Sequence, residues 1–222
     1  MISLPRPCLC LVTDRRAVNP DARTVREEVL ALEAFLDEAI DAGIDLIQVR
    51  ERNLETAVLH GMVIRTVARA SQTTTRVLVN DRADVAAAAG AHGVHLRGDA
   101  PPGGRVRELV GTSALIGRSI HDPAESADDA DYFVFGTVFR TGSKPSDAPV
   151  AGLDALAAAA RRSLAPVLAI GGMTPDRAPA CRQAGAAGVA AIGVFLPPGR
   201  TKHALGPAAG VAALRAAWNL RT

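Results

Sequence analysis

The chain has 222 residues, of which 48% are hydrophobic, and a formal net charge of +2. A chain of this length and composition buries a full-sized core, and we expect one domain over residues 1–222. The net charge is close to neutral and the sequence has no run of like charges, so we predict a small-molecule ligand and no nucleic-acid partner.

We expect a cytoplasmic protein with no membrane contact. No apolar run approaches the roughly 20 residues of a membrane span, and Pro5 and Pro7 interrupt the start of the chain, where a secretory signal needs a longer apolar stretch. Cys8, Cys10 and Cys181 show neither metal-ligand spacing nor an even number, so we interpret them as free thiols in a reducing compartment.

Taken in chain order, apolar strands and amphipathic helices alternate. The predicted strands cover 8–13, 44–49, 76–80, 93–96, 114–119, 131–136, 166–170 and 187–192. The predicted helices cover 24–42, 54–70, 82–89, 104–110, 123–129, 153–162, 175–184 and 207–219. A doubly wound open sheet shares this local order, but the count of eight favours an α/β fold of the (βα)8 TIM barrel type. The active site of such a barrel lies at the carboxyl ends of its strands.

The ends of the second and third strands carry a diphosphate signal. Gln48, Arg50 and Arg52 follow one strand at alternate positions, and Asn80 and Asp81 end the next. Arginine forks suit a diphosphate, and a carboxylate beside them suits the Mg²⁺ that a diphosphate carries. The alternative is an ion pair of Asp81 with Arg50 or Arg52, which closes the rim of the barrel.

One of the five histidines is placed for proton transfer. His121 follows the fifth strand, where its side chain can reach the mouth of the barrel. His95 alternates with apolar residues inside the fourth strand, which is typical of a buried histidine with hydrogen-bond partners.

The long loop 137–152 after the sixth strand is rich in glycine, proline and small polar residues, as loops that close over ligands often are. It carries Lys144, one of two lysines in a chain whose cations are otherwise arginines. We predict that Lys144 binds a phosphate together with Thr141 and Ser143. The alternative is a solvated surface lysine.

Glycines follow the last two strands. Gly171 and Gly172 end the seventh, just before Thr174 and Pro175 open a helix, and Gly193 ends the eighth. Backbone amides at these two strand ends commonly form the phosphate site of the barrel fold. The alternative is that the glycines only make tight turns.

Together these segments resemble the thiamine phosphate synthase and TenI (thiazole tautomerase) superfamily. The matching segments run in the same order as in that superfamily: LVTD (11–14), IQVRER (47–52), VNDRADVA (79–86), GVHL (93–96), GRSIH (117–121), ADYFVFGTVFRTGSK (130–144), AIGGMTPD (169–176) and AGAAGVAAI (184–192). They span almost the whole chain, and their combination is specific although each is weak alone.

The resemblance implies a barrel enzyme of thiamine biosynthesis. In the synthase, a Gln-x-Arg-x-Lys motif and an Asn-Asp pair hold a pyrimidine diphosphate with Mg²⁺, which here match Gln48, Arg50, Asn80 and Asp81. Ser119 matches a serine near the departing diphosphate. The resemblance implies that the thiazole phosphate lies with Thr141, Ser143, Lys144, Gly171, Gly172 and Gly193.

The chain departs from the synthase pattern mainly at two positions, while Ser143 for threonine and Gly193 for serine at the phosphate site are smaller departures. Arg52 stands for the motif lysine, and the second carboxylate expected for Mg²⁺ falls on Ala100, with Asp99 one residue earlier. Because a shift of one residue in an extended segment turns the side chain to the opposite face, Asp99 is a metal ligand only if the loop bends.

The tautomerase branch shares RER, GRS-x-H and GGMTPD, and its members transfer a proton with the residue that matches His121. Three functions therefore stay open at this point: the synthase, with Arg50, Ser119 and Lys144 as its catalytic residues; the tautomerase, with His121; and a non-catalytic binder of thiazole phosphate. Mg²⁺ belongs to the first alone. Barrels often pair, so we also expect a homodimer.

Overall fold

The computed structural model describes residues 4–125, 130–142 and 149–220. Parallel strands close into one barrel, in which each strand pairs with its sequence neighbours and β8 pairs with β1. The strands are β1 (Cys8–Val12), β2 (Leu46–Val49), β3 (Arg76–Asn80), β4 (Gly93–Leu96), β5 (Leu115–Ile120), β6 (Tyr132–Phe135), β7 (Val167–Ile170) and β8 (Gly188–Ala191). The predicted (βα)8 barrel is confirmed.

Helices surround the barrel. They are α1 (Arg15–Val18), α2 (Val25–Asp41), α3 (Thr56–Ala70), α4 (Ala83–Ala88), α5 (Gly103–Val110), α6 (Gly152–Arg162), α7 (Ala178–Gln183) and α8 (Pro207–Asn219). The short helix α1 was not predicted, because its four residues are too few to show helical periodicity. None of the helices that the structure describes is long and apolar enough to cross a bilayer.

The predicted helix 123–129 is wrong over its first half, and its second half, 126–129, lies outside the described residues. Pro123–Glu125 form a single 3-10 turn. The Asp122 carboxylate accepts the Ala124 amide at 2.7 Å, and the Glu125 carboxylate turns back to accept the His121 amide at 2.7 Å. These local bonds from acidic side chains to the backbone compete with a regular helix.

Alternation along each strand separates two apolar cores. Outward residues such as Leu9, Leu11 and Ile47 join the large core between barrel and helices. Inward residues such as Leu46 and Tyr132 join a smaller core that fills the barrel interior. Cys8 and Cys10 lie in this inner core as free thiols, as predicted, and burial raises the pKa of the Cys10 thiol to about 12.

Candidate active site

The upper barrel interior is polar on one side and apolar on the other. Inward positions of four successive strands, β2 to β5, carry Gln48, Asn80, His95 and Ser119. The opposite side, formed by β1, β6, β7 and the end of β8, presents Val12, Val134, Ile170 and Ile192. The polar side lies directly below the strand ends at which we predicted a diphosphate.

A chain of hydrogen bonds connects the predicted diphosphate residues. The Gln48 Nε2 donates to Asn80 Oδ1 at 2.8 Å, and the Asn80 Nδ2 donates to Asp81 Oδ2 at 2.8 Å. The other oxygen of Asp81 accepts the Arg97 backbone amide at 2.9 Å. Asp81 has a φ of 60°, in the left-handed region that few residues other than glycine adopt. This conformation is costly, and such conformations concentrate at functional sites.

Arg50 and Arg52 lie beside this series of hydrogen bonds as neighbouring cations. The pKa of Arg50 is lowered, first by burial and then by the charge of Arg52, while Asp14, Glu51 and Asp81 oppose the shift. Within the described part of the chain, neither guanidinium forms an ion pair, so the predicted pairing with Asp81 is not found. Asp81 instead pairs with Arg97, whose Nε lies 3.3 Å from Asp81 Oδ2.

Glu51 fixes the backbone from which these arginines project. Its side chain is buried, accepts the Thr13 hydroxyl at 2.6 Å and accepts the Arg15 Nη1 at 2.9 Å. The Thr13 hydroxyl oxygen in turn accepts the Arg50 amide at 2.9 Å. Glu51 was not predicted as a site residue. The sequence held one indication of its role. Glu51 lies between Arg50 and Arg52, so its side chain is expected to point away from theirs.

His95 connects Tyr132 and Ser119 in the barrel interior. Its Nδ1 lies 3.0 Å from the Tyr132 hydroxyl and its Nε2 lies 2.9 Å from Ser119 Oγ. Burial, with a smaller contribution from Arg118, lowers the pKa of His95 to about 3, so the ring is neutral at working pH. The prediction of a buried histidine with hydrogen-bond partners is confirmed.

The neutral ring determines which way these hydrogen bonds run. A neutral imidazole has one donor and one acceptor. Among the described residues His95 is the sole hydrogen-bond partner of the buried Tyr132 hydroxyl, so we assign the Tyr132 O–H as the donor to Nδ1. The Nε2–H then donates to Ser119 Oγ. Ser119 keeps its own O–H proton to donate to a ligand.

The His121 side chain contacts Gly136, the residue that follows β6. Its Nδ1 contacts the Gly136 carbonyl oxygen at 2.5 Å, which only a protonated Nδ1 can do as a donor. A neutral His121 therefore carries its lone pair on Nε2. The side chain is exposed, so Nε2 can accept a proton from a ligand.

The loop after β4 bends, which is the condition that Asp99 had to meet. The Ala100 amide donates to the Arg97 carbonyl at 3.2 Å and closes a turn. Asp99 Oδ1 lies 3.4 Å from Arg97 Nε, the atom that also contacts Asp81, whereas the Ala100 methyl group packs against the outer core. Asp99 and Asp81 therefore both contact the side chain of Arg97.

Arg118, which was not predicted as a site residue, holds this loop. It points outward from β5 and donates to four carbonyl oxygens, those of Arg97, Gly98, Ala100 and Pro101, at 2.7–3.4 Å. Its guanidinium is buried. The sequence could not predict that Arg118 supports this loop, because the residue pattern does not show which carbonyl oxygens lie near its side chain.

The predicted phosphate end lies on the apolar side of the barrel. Gly171 and Gly172 have φ values of 102° and 59°, and a Cβ at Gly172 would collide with the Arg140 carbonyl oxygen. Gly193 has open space where a side chain would begin. Thr141 is half-buried and follows Arg140, whose carbonyl oxygen lies beside Gly172, while Ser143 and Lys144 lie outside the described residues.

A profile described as thiamine monophosphate synthase matches residues 9–195. The chain belongs to the thiamine monophosphate synthase family. The matched span contains every site residue discussed above.

Relatives in the thiamine monophosphate synthase family cover most of the chain. The thiamine-phosphate synthase of Koribacter versatilis is 35% identical over 201 residues, 88% of this chain and 90% of the relative. That of Anaeromyxobacter dehalogenans is 39% identical over 184 residues, 81% of this chain and 80% of the relative. A solved thiamine phosphate pyrophosphorylase from Pyrococcus furiosus superposes with a TM-score of 0.76 at 28% identity, covering 95% of this chain and 94% of that one. These names favour the synthase over the tautomerase interpretation.

The residues at the β3 and β4 ends fit the Mg²⁺ that the thiamine monophosphate synthase family implies. Within residues 4–125, 130–142 and 149–220, no three His, Cys, Asp or Glu side chains form a ready metal site. Magnesium, however, is commonly bound through one or two carboxylates together with substrate phosphates. Asp81 and Asp99 supply two carboxylates that meet at one nitrogen atom, which is enough for a cation brought by a diphosphate.

Proposed function

We propose that the chain is a thiamine-phosphate synthase that joins hydroxymethylpyrimidine diphosphate to thiazole phosphate and releases diphosphate. The observation that carries this proposal is the placement of Arg50 and Arg52. They lie side by side without an ion-pair partner in the described residues, next to the hydrogen-bonded chain of Gln48, Asn80 and Asp81. Two unpaired guanidiniums favour a doubly charged anion.

The reaction exchanges one bond for another. The bond between the pyrimidine methylene and the diphosphate oxygen breaks, and the oxygen keeps the electron pair. The thiazole nitrogen then gives its lone pair to the methylene carbon. Negative charge grows on the departing oxygen, so donors aimed at that oxygen accelerate the step.

The polar side of the barrel performs this stabilisation. Arg50 and Arg52 bind the diphosphate, and Gln48 and Asn80 orient Asp81 toward it. Asp81 and Asp99 are the residues that would hold Mg²⁺, which neutralises charge on the leaving diphosphate when it is bound. Ser119, whose proton is left available by His95, donates a hydrogen bond to the departing group.

The thiazole phosphate binds on the other side. The backbone amides at Gly171, Gly172 and Gly193 and the hydroxyl of Thr141 receive its phosphate, and we retain Ser143 and Lys144 as further ligands on the basis of the family resemblance. The apolar side chains of Val134 and Ile170 lie below this end and suit an aromatic ring. Proton transfer by His121 belongs to the tautomerase interpretation and has no step in the synthase reaction.

The proposal is tested by product formation from both substrates with Mg²⁺ and with a chelator. The wild-type enzyme should form thiamine phosphate only with Mg²⁺. Asp81→Asn should lower kcat/KM by about 100-fold or more, because it removes a metal-binding charge while asparagine tolerates the left-handed backbone. Asp84→Asn, at an exposed carboxylate paired with Arg82, is the matched control and should leave the rate unchanged.

Two results would contradict the proposal. One is the absence of Mg²⁺-dependent thiamine phosphate from the wild-type enzyme. The other is the conversion of a thiazole carboxylate phosphate to its aromatic tautomer in its place, which would assign the tautomerase reaction and His121 as its proton-transfer group.

A further inference from the structure

Arg97 occupies the space between the two carboxylates proposed for the metal. Its Nε lies 3.3 Å from Asp81 Oδ2 and 3.4 Å from Asp99 Oδ1. One nitrogen atom therefore bridges both carboxylates and supplies a positive charge where a divalent cation would lie.

The bridge is weaker than the bonds that hold Asp81. Both Nε contacts are longer than an ordinary hydrogen bond of this type, and the side chains of Arg97 and Asp99 are 56% and 76% exposed. Ion pairs with this exposure contribute little to stability. Asp81 is held instead by the Asn80 side chain at 2.8 Å and the Arg97 backbone amide at 2.9 Å.

The Arg97 side chain can therefore leave while its backbone stays in place. Arg118 fixes the carbonyl oxygens of the loop on both sides of Asp99, and the Arg97–Ala100 turn closes it. Neither interaction involves the Arg97 guanidinium. The two carboxylates keep their backbone support when that guanidinium moves away.

We propose that Arg97 is an internal counter-ion that competes with the divalent cation for Asp81 and Asp99 and is displaced when the metal diphosphate binds. The inference rests on the proposed synthase function. Without a cation the two carboxylates repel each other, and Arg97 offsets that repulsion. A diphosphate brings its own negative charges, which ligate the incoming metal and attract the displaced guanidinium. The free enzyme consequently binds divalent cations weakly.

The test measures Mn²⁺ binding to the full-length, substrate-free enzyme by electron paramagnetic resonance, with Mn²⁺ as the probe for the Mg²⁺ site. Arg97→Gln and Arg97→Met should each bind Mn²⁺ about fivefold or more tightly than wild type, because a positive charge near the cation is removed. Arg105→Gln is the matched control: its side chain is 77% exposed on α5, and it should stay within about twofold of wild type.

The inference is overturned if both Arg97 variants, shown to be folded by circular dichroism, bind Mn²⁺ no more tightly than wild type. It is also overturned if Arg105→Gln produces an equal gain, since the effect would then be one of net charge. Thiamine phosphate formation by wild type is measured in parallel. Product without a gain in Mn²⁺ affinity contradicts the role of Arg97 alone, whereas a wild-type enzyme without Mg²⁺-dependent product contradicts the proposed function.

Discussion

The Ser119 hydroxyl receives its direction from two side chains that do not reach the mouth of the barrel. Tyr132 is fully buried and donates to His95, which donates onward to Ser119. Gly117 is required for this arrangement, because a Cβ there would collide with the Tyr132 ring. The proton that Ser119 offers a ligand thus depends on a tautomer fixed one strand away.

Tyr132→Phe tests this dependence. Without the tyrosine proton, the Nδ1 of His95 loses its donor, and the ring can take the tautomer that accepts from Ser119. We expect kcat to fall about tenfold with little change in KM, because a hydrogen bond to the departing group is lost.

The control for this prediction is the double variant. Ser119→Ala alone should lower kcat, and adding Tyr132→Phe to it should cost no more, since the two residues act through one hydroxyl. Independent, multiplying losses would show that Tyr132 acts by another route.

His95 also makes stability depend on pH. Burial lowers its pKa to about 3, whereas an exposed histidine in the unfolded chain has a pKa of about 6.5. Between these values the unfolded state binds more protons, so the free energy of unfolding decreases as the pH falls. The groups that face the ring are Tyr132, Ser119 and Arg118, and none of them can supply a negative charge to stabilise the imidazolium.

We expect urea unfolding to reveal this loss as a difference between variants. From about pH 7 to pH 5, wild type should lose about 2 kcal/mol more of its free energy of unfolding than His95→Gln. His203→Gln, at an exposed histidine, should follow wild type. If the free energy of unfolding of wild type and of His95→Gln changes with pH in parallel, the folded state takes up a proton at His95 as readily as the unfolded state.

For single residues, the sequence predicted which side chains lie at the strand ends better than it predicted the contacts between them. Gln48, Asn80 and Asp81 were predicted from their positions, and the structure connects them. The pairing of Asp81 with Arg97 was not predicted, because only Asp99 and Ala100 were considered in that loop. Which of several arginines at one rim meets a carboxylate depends on the loop backbone, and residue spacing does not specify it.

Among the elements, the loop after β4 depends most on a single side chain outside it. Arg118 donates to four of its carbonyl oxygens, and the bonds come from a buried guanidinium rather than from solvent. Asp99 is therefore placed by β5 as much as by β4. Arg118 acts as a positioning residue, because its guanidinium contacts the loop backbone and not the proposed ligand site.

Arg118→Met should loosen this loop selectively. Four carbonyls of residues 97–101 would lose the donor that Arg118 supplies, so we expect amide hydrogen exchange in this segment to increase about tenfold or more, while β5 itself keeps its protection. Arg105→Met should leave exchange unchanged. Unaltered exchange in 97–101 would show that the turn alone supports the loop, and a uniform increase across the barrel would show a general loss of stability.

Several elements were predicted closely from their apolar pattern. The bounds of β3 and β4 were predicted to the residue, and the last helix was expected near the residues that α8 covers. The prediction of a helix from residue 123 was wrong because the Asp122 and Glu125 carboxylates accept backbone amides, and these local hydrogen bonds outweigh a weak helical pattern. Short elements carry too few residues for periodicity to decide between a helix and a turn.

At the scale of the molecule, the barrel separates two kinds of chemistry by strand order. Strands β2 to β5 provide the polar side, and β1 and β6 to β8 provide the apolar side with the glycine turns. Closure brings the two sides face to face across one mouth, which no single segment of sequence specifies. The homodimer and the cytoplasmic location stay predictions.

Closure also depends on one carboxylate at the opposite end of the barrel. Asp45 precedes β2, accepts the Leu9 amide at 2.8 Å and accepts the Arg215 Nη2 at 3.0 Å. Arg215 lies on α8 and donates as well to the Gly43 carbonyl at 2.8 Å. The last helix is thereby fastened to the first two strands, and the sole tryptophan, Trp218, is buried on the same helix.

Asp45→Ala tests whether residues 1–222 unfold as the single domain that we predict. It leaves the buried Leu9 amide without its acceptor and removes the charged one of the acceptors of Arg215, so the free energy of unfolding should fall by about 3 kcal/mol. If the chain is one cooperative unit, Trp218 fluorescence and far-ultraviolet circular dichroism should give coincident urea transitions in wild type and should shift together in the variant. Asp41→Ala, at an exposed carboxylate of α2, should change stability by less than about 0.5 kcal/mol. A fluorescence transition that shifts alone would mean that α8 unfolds apart from the barrel.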